Sequence, residues 1–222
     1  KKYCEFKNIN MDWEKIRKKI RWRPQPVKDV AKHISIEEVK LLTEGKNDVY
    51  SLIIKLQFEL GCRIREVLNL KKENIQYDPI DKMVKVVIVG KGKKFRTVYI
   101  TSQTLQKELE KYIGEKGYLF PNSAFGYDDK EERNEEMIRR IYRKVNEEIQ
   151  KRAMETLGKK LSTHWFRHSR IILLLEEGYD LRTIQKFTGH SSLNTLEWYL
   201  RQAGIDSKNI AIEEREKGII EW

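Results

Sequence analysis

The stretch from His164 to Tyr199, HWFRHSRIILLLEEGYDLRTIQKFTGHSSLNTLEWY, constrains the fold more than any other part of the chain. Its apolar run, Ile171 to Leu175, follows a polar turn that carries His164 and Arg167 at i and i+3. That spacing predicts one helix with both polar side chains on one face and the apolar run holding it in the core. Gly178 stands where a C-cap belongs. Asp180 is placed to cap a second helix, Leu181 to Phe187, which ends at Gly189-His190. A third helix begins near Ser191 or Ser192 and carries Tyr199 on its second or third turn.

The residue types in this stretch suit one kind of chemistry. Arginine offers a planar fork of donors that keeps its charge, which matches phosphate oxygens. Histidine accepts or donates a proton near neutral pH. Tyrosine, with a free pKa of about 10, attacks only when cations or a base activate it. Together they describe attack on a phosphodiester without a metal. Taken one at a time, His164 and His190 would be read as core histidines. His168 reads as a core or supporting histidine beside them, and Trp198 as a packing residue.

Upstream, Ser35-Ile36-Glu37-Glu38 is a capping box opening a helix to about Thr43. A second helix runs from Asp48 to Leu60 and is broken by Gly61, with Arg63 at the next helix start. An arginine wedged between apolar helices needs a partner, and Glu66 is the carboxylate at hand. Met83 to Val89 and Phe95 to Ile100 are β-branched runs around a glycine-lysine turn, which predicts a hairpin. Thr101 or Ser102 starts a helix to about Ile113. A long helix runs from Asn134 to about Leu157, its basic face (Arg139, Arg140, Arg143, Lys144) a candidate DNA contact. The expected fold is mainly α with a small antiparallel sheet of two or three strands.

His164-x-x-Arg167, Gly189-His190 and Tyr199 nine positions on resemble the C-terminal signature of the tyrosine recombinases, which include phage-type integrases and Xer-type recombinases. Gly61-Cys62-Arg63-Ile64-Arg65-Glu66-Val67-Leu68-Asn69-Leu70 resembles that family's first-arginine motif, with Leu60 where threonine is common. Gly90-Lys91-Gly92-Lys93-Lys94-Phe95-Arg96 resembles its lysine-bearing hairpin. The resemblance implies a catalytic set of Arg63, Lys91, His164, Arg167, His190 and Tyr199, with Glu66 and His168 in support. It singles out Lys91 as the acid for the leaving oxygen, and leaves Lys93 and Lys94 as DNA contacts. It implies cleavage and rejoining of double-stranded DNA through a 3′-phosphotyrosyl bond, with no cofactor and no ATP. It also implies four protomers on two duplexes. A type IB topoisomerase would share the chemistry, and a non-catalytic basic DNA-binding protein would share the charge.

Composition agrees with a nucleic-acid partner. The 222-residue chain carries a net charge of +11, with 36% charged residues against 39% hydrophobic ones. An acidic polymer is the natural partner of such a surface. Cys4 and Cys62 lack metal-ligand spacing, so no metal site is expected and both are read as reduced thiols of a cytoplasmic protein. No apolar run reaches membrane-spanning length, and KKYCEFKN has no signal-peptide layout. Abundant Lys, Glu and Ile is a composition met in thermophiles. The expected organisation is an N-terminal arm over 1–33, a catalytic domain over 34–204 and a tail helix over 205–222.

Overall fold

A computed structural model describes residues 33–90, 92, 94–193, 196 and 199–200. The expected arm, except His33, and the expected tail lie outside the described residues, as do Lys91, Lys93 and Trp198.

Helix α1, Ile36–Thr43, begins as its sequence predicts. Ser35 Oγ accepts from the Glu38 amide at 3.2 Å and Glu38 Oε2 accepts from the Ser35 amide at 3.1 Å. Two otherwise orphaned donors are satisfied reciprocally. Helix α2, Val49–Glu59, is capped by Asp48 and buries Leu52, Ile53, Ile54, Leu56 and Phe58. A helix apolar on most of its circumference belongs in the interior, and α2 packs against α1 and the three helices described next. Those are α3, Ile64–Leu68, α5, Glu135–Leu157, and α6, His164–Glu176.

Between α3 and α5 lies a three-stranded antiparallel sheet in the order β1 (Ile75–Asp78), β2 (Met83–Val89), β3 (Phe95–Tyr99). Val86 is opposite Ile75 on one side and Val98 on the other. Val84, Val86 and Ile88 alternate inward, and helix α4 (Gln103–Glu110) packs on β1 and β2. The period of two turns that face to the core.

Helix α5 presents Met137, Ile138, Ile141, Val145, Ile149 and Ala153 as a stripe. The near-perfect three-four spacing is what a surface helix needs to dock along its length. Buried Arg152 pins it to α2, with Nη2 2.9 Å from Asp48 Oδ2 and Nη1 3.0 Å from Ser51 Oγ. Helix α6 buries Phe166, Ile171, Ile172, Leu174 and Leu175. Each of these is worth about 1.5–3 kcal/mol on leaving water. Together they outweigh the several kcal/mol that desolvating one guanidinium costs, and so the same helix can carry Arg167 inside. Helix α7, Leu181–Thr188, is capped by Asp180, ends at left-handed Gly189 and packs on α6 and β3. Among the described residues, no helix is long and apolar enough to cross a membrane.

Candidate active site

The turn after α2 builds the floor. Gly61 has φ +56, and a Cβ there would lie 2.9 Å from the Phe187 ring of α7. Glycine is therefore required twice at this position, for conformation and for space. Its carbonyl accepts from Arg167 Nη1 at 2.7 Å. The motif glycine thus links the helix carrying Arg167 to the turn carrying Arg63.

Glu66, one turn into α3, is the anionic centre. Its Oε2 accepts from the Arg63 amide at 2.9 Å and from Arg96 Nη2 at 2.8 Å. Its Oε1 accepts from Arg63 Nη1 at 3.1 Å and from Arg96 Nη1 at 3.3 Å. Arg167 Nη1 is 3.9 Å from Oε2. Burial pushes the carboxyl up, but the Arg96 hydrogen bond and charge and the Arg63 amide outweigh it, and Glu66 ends below the usual carboxylate range. One carboxylate faces three guanidinium groups, so the cluster holds surplus positive charge.

His190 closes the far side. Arg167 Nη2 lies 3.0 Å from His190 Nε2, and Thr188 Oγ1 lies 2.6 Å from Nδ1. The Thr188 hydroxyl donates its proton to the Ile184 carbonyl at 2.6 Å, so Nδ1 carries the hydrogen and Nε2 receives the arginine. This arrangement needs a neutral ring. Burial and the charges of Arg167, Arg63 and Arg96 lower the His190 pKa to about 3. The same crowding, burial first and then Arg63, brings Arg167 down to about 10.

Tyr199 is 4% exposed, and its hydroxyl is hydrogen-bonded to His168 Nδ1. Its ring centroid is 5.2 Å from that of His168 and 6.4 Å from that of His190. Burial lifts the phenol to about 12, against the pull of Arg167 and Arg63. The phenol therefore stays protonated at neutral pH until something stronger than these two cations acts on it.

The structure gathers Arg63, Glu66, Arg167, His168, His190 and Tyr199. His164 starts α6 on the exposed side, one turn before His168. The imidazole in contact with the Tyr199 hydroxyl is His168, to which the resemblance gave a supporting part, and not His164. Lys94 lines a cavity of about 350 Å³ with Arg63, Arg96, Gly90, His190 and Ser191. Arg139, Arg140 and Arg143 are exposed on α5 and do not line that cavity. Arg140 pairs with Glu131 at 3.2 Å and covers the Tyr127 ring. Arg65 points away to Glu135 at 2.8 Å. Residue-type reasoning missed Arg96 altogether. Its only signal was an arginine in the strand after the lysine-rich turn, facing a motif that already contained a glutamate.

This fold is that of tyrosine-recombinase catalytic domains. A XerH recombinase bound to its difH substrate superposes with a TM-score of 0.59 at 22% identity, over 84% of this chain and 54% of that one. The catalytic domain of bacteriophage HP1 integrase does so with a TM-score of 0.54 at 19% identity, over 83% of this chain and 93% of that one. Residues 32–204 match the phage integrase family, and the chain belongs to that family. It is 33% identical over 208 residues to the tyrosine recombinase XerA of Pyrococcus furiosus, covering 90% of this chain and 66% of XerA. The tyrosine recombinase XerC of Leptospira interrogans is 28% identical over 186 residues, covering 80% of this chain and 57% of XerC. The chain thus spans less than two thirds of the length of these curated relatives.

Proposed function

We propose that this chain is the catalytic part of a site-specific DNA recombinase, and that Tyr199 is its nucleophile. The observation that carries the reading is the cluster of three guanidinium groups on one carboxylate beside a buried tyrosine. Such a site lacks an anion of about one to two charges, and a phosphodiester passing through a five-coordinate state supplies it.

Tyr199 Oη attacks the scissile phosphorus and forms a 3′-phosphotyrosyl bond as the bond to the 5′-oxygen breaks. The phenolic proton leaves towards His168, its neighbour in this arrangement, with His164 a turn away as the second imidazole of that face. Arg63 and Arg167 hold the non-bridging oxygens. Arg63 is 43% exposed in its side chain and still has free donors facing the cavity. Arg167 is preset by Gly61 and His190, which limits the reorganisation needed in the transition state. The leaving 5′-oxygen takes a proton from Lys91 of the β2–β3 turn, and the freed 5′-hydroxyl of another strand reverses the steps. Bond energy is conserved in the phosphotyrosine, so the scheme consumes no ATP and calls on no metal. His190 supports Arg167 in the free chain. It can donate to a phosphate only after Nε2 gains a proton, which an incoming anion favours.

Exchange between two duplexes calls for four protomers, each cutting one strand. The relatives named recombinases support double-stranded DNA as the partner. A suicide duplex, nicked beside the cut so that the 5′-fragment diffuses away, traps the covalent complex as a shifted band on a denaturing gel. No shifted band with any of a randomised pool of duplexes would sink the proposal. Strand joining to a duplex of different flanking sequence separates a recombinase from a supercoil-relaxing enzyme with the same chemistry.

A further inference from the structure

The side chain that ties the cleft together is one to which the reaction scheme gives no step. Arg96 lies on β3 opposite Ile88, and its side chain is 12% exposed. It reaches off the sheet to α3 and grips both oxygens of Glu66, at 2.8 and 3.3 Å, with Cys62 Sγ 3.4 Å from Nη2. A bidentate arginine–carboxylate pair fixes orientation as well as distance.

Two glycines flank the guanidinium. A Cβ on Gly189 would lie 2.8 Å from Arg96 Nη1 and 3.2 Å from Cζ, and Gly189 also has φ +70. A Cβ on Gly90 would lie 3.6 Å from both Arg96 Nη1 and Glu66 Oε1. The first glycine immediately precedes His190, and the second immediately precedes Lys91. One planar group is therefore enclosed by the His190 turn, the lysine hairpin and the α3 carboxylate that bonds Arg63. Glu66 is far closer to Arg96 than to Arg167, at 2.8 against 3.9 Å. If Arg96 were absent, the nearest cation for half of that carboxylate would be Arg167, which would then leave His190 and its aim at the substrate.

We propose that Arg96 is the positioning residue of this site: by saturating Glu66 it keeps Arg63 and Arg167 available to the phosphate, and it sets the hairpin and the His190 turn at fixed distance from both. The inference rests on reading the cleft as a phosphoryl-transfer site.

The test uses the whole chain and a nicked duplex recovered by covalent capture from a randomised pool with the unaltered protein. Single-turnover adduct formation at saturating DNA and the Kd for that duplex are measured for Arg96→Ala, Arg96→Lys, Glu66→Gln and the Arg96→Ala/Glu66→Gln pair, well below each variant's Tm. Arg96→Ala is expected to slow adduct formation on the order of 10²-fold, the cost of misplacing a catalytic group by an ångström, with Kd changed less than about threefold. Arg96→Lys, which keeps the charge without the fork, recovers part of the rate. The double variant is expected to be no slower than the slower single one, because both substitutions remove the same link. Rate losses that multiply in the double variant would mean that Arg96 touches the phosphate itself, and would overturn the positioning role. So would a normal rate with only a lowered Tm. If the unaltered chain captures no duplex, the recombinase reading falls first and this inference with it.

Discussion

Substituting lysine for Arg167 keeps the positive charge and removes the fork. In the structure, one guanidinium nitrogen serves the Gly61 carbonyl at 2.7 Å and the other serves His190 Nε2 at 3.0 Å, in a side chain that is 6% exposed. A single ammonium on a shorter stem cannot sit at both places. One buried acceptor is left unsatisfied, which costs about 1–3 kcal/mol. For a domain of this size that corresponds to a Tm lower by roughly 2–12 °C. The chemical effect should be larger than the structural one. Losing one preorganised donor to a developing oxyanion costs on the order of 10²–10³ in rate, while the net charge is unchanged. The assay follows phosphotyrosyl adduct formation with a captured suicide duplex, beside thermal unfolding and DNA affinity of the same preparations. An Arg167→Lys variant that cleaves at near wild-type rate, or that loses rate only in proportion to DNA affinity, would refute the assignment of Arg167 to the transition state.

Tyr199→Phe removes one oxygen and the bond to His168 while keeping the ring. It should abolish the adduct and leave DNA binding within about threefold, since the loss falls on the proposed nucleophile alone. An adduct that persists would move that role to another tyrosine, with half-exposed Tyr179 the first to test. DNA affinity should fall steeply with salt, each neutralised phosphate adding a slope of about −0.9 in log K against log salt. A flat dependence would remove nucleic acid as the partner. His190 should stay neutral down to about pH 3 in the folded chain, while an unfolded histidine takes up a proton near pH 6.5. The unfolded state then binds the extra proton across that window, so His190 makes the fold less stable as pH falls below about 6.5. NMR titration of the free chain should show its ring unchanged down to about pH 5, and a midpoint near 6.5 would contradict the neutral, arginine-facing ring.

The local signals in the sequence carried the helices well. Ser35 with Glu38, Asp48, Asn134 and Asp180 all cap the helices they precede, because a cap is decided by side chains two or three residues from the backbone they serve. The β2 and β3 runs were readable from their β-branched residues, but the brief β1 strand was not, since its four residues include Gln76 and Asp78. Glu66 was legible as Arg63's partner because the two are three residues apart. Its stronger tie to Arg96 spans thirty positions, and the crowding of Gly189 by Arg96 comes from β3, beside the left-handed φ that its place at a helix end already asks for. Nothing local encodes the two contacts with Arg96. The contact of Tyr199 with His168 rather than His164 depends on how the last described turn lies against α6, which spacing along the chain leaves open.

The bond from Arg167 to the Gly61 carbonyl closes a loop of 106 residues, and this has a bearing on how the cleft is assembled. Arg63, Glu66 and Arg96 precede α6, while Arg167, His168, His190 and Tyr199 lie on it or after it. The described segments before α6 hold a carboxylate already paired with Arg63 and Arg96, and α6 and the residues after it bring the remaining groups of the cluster. Long-range closure is also the step that the entropy of the chain opposes most. Folding of α2, α3 and the sheet therefore leaves the Arg167 side of the cleft unmade, and the cluster is complete only once α6 has docked.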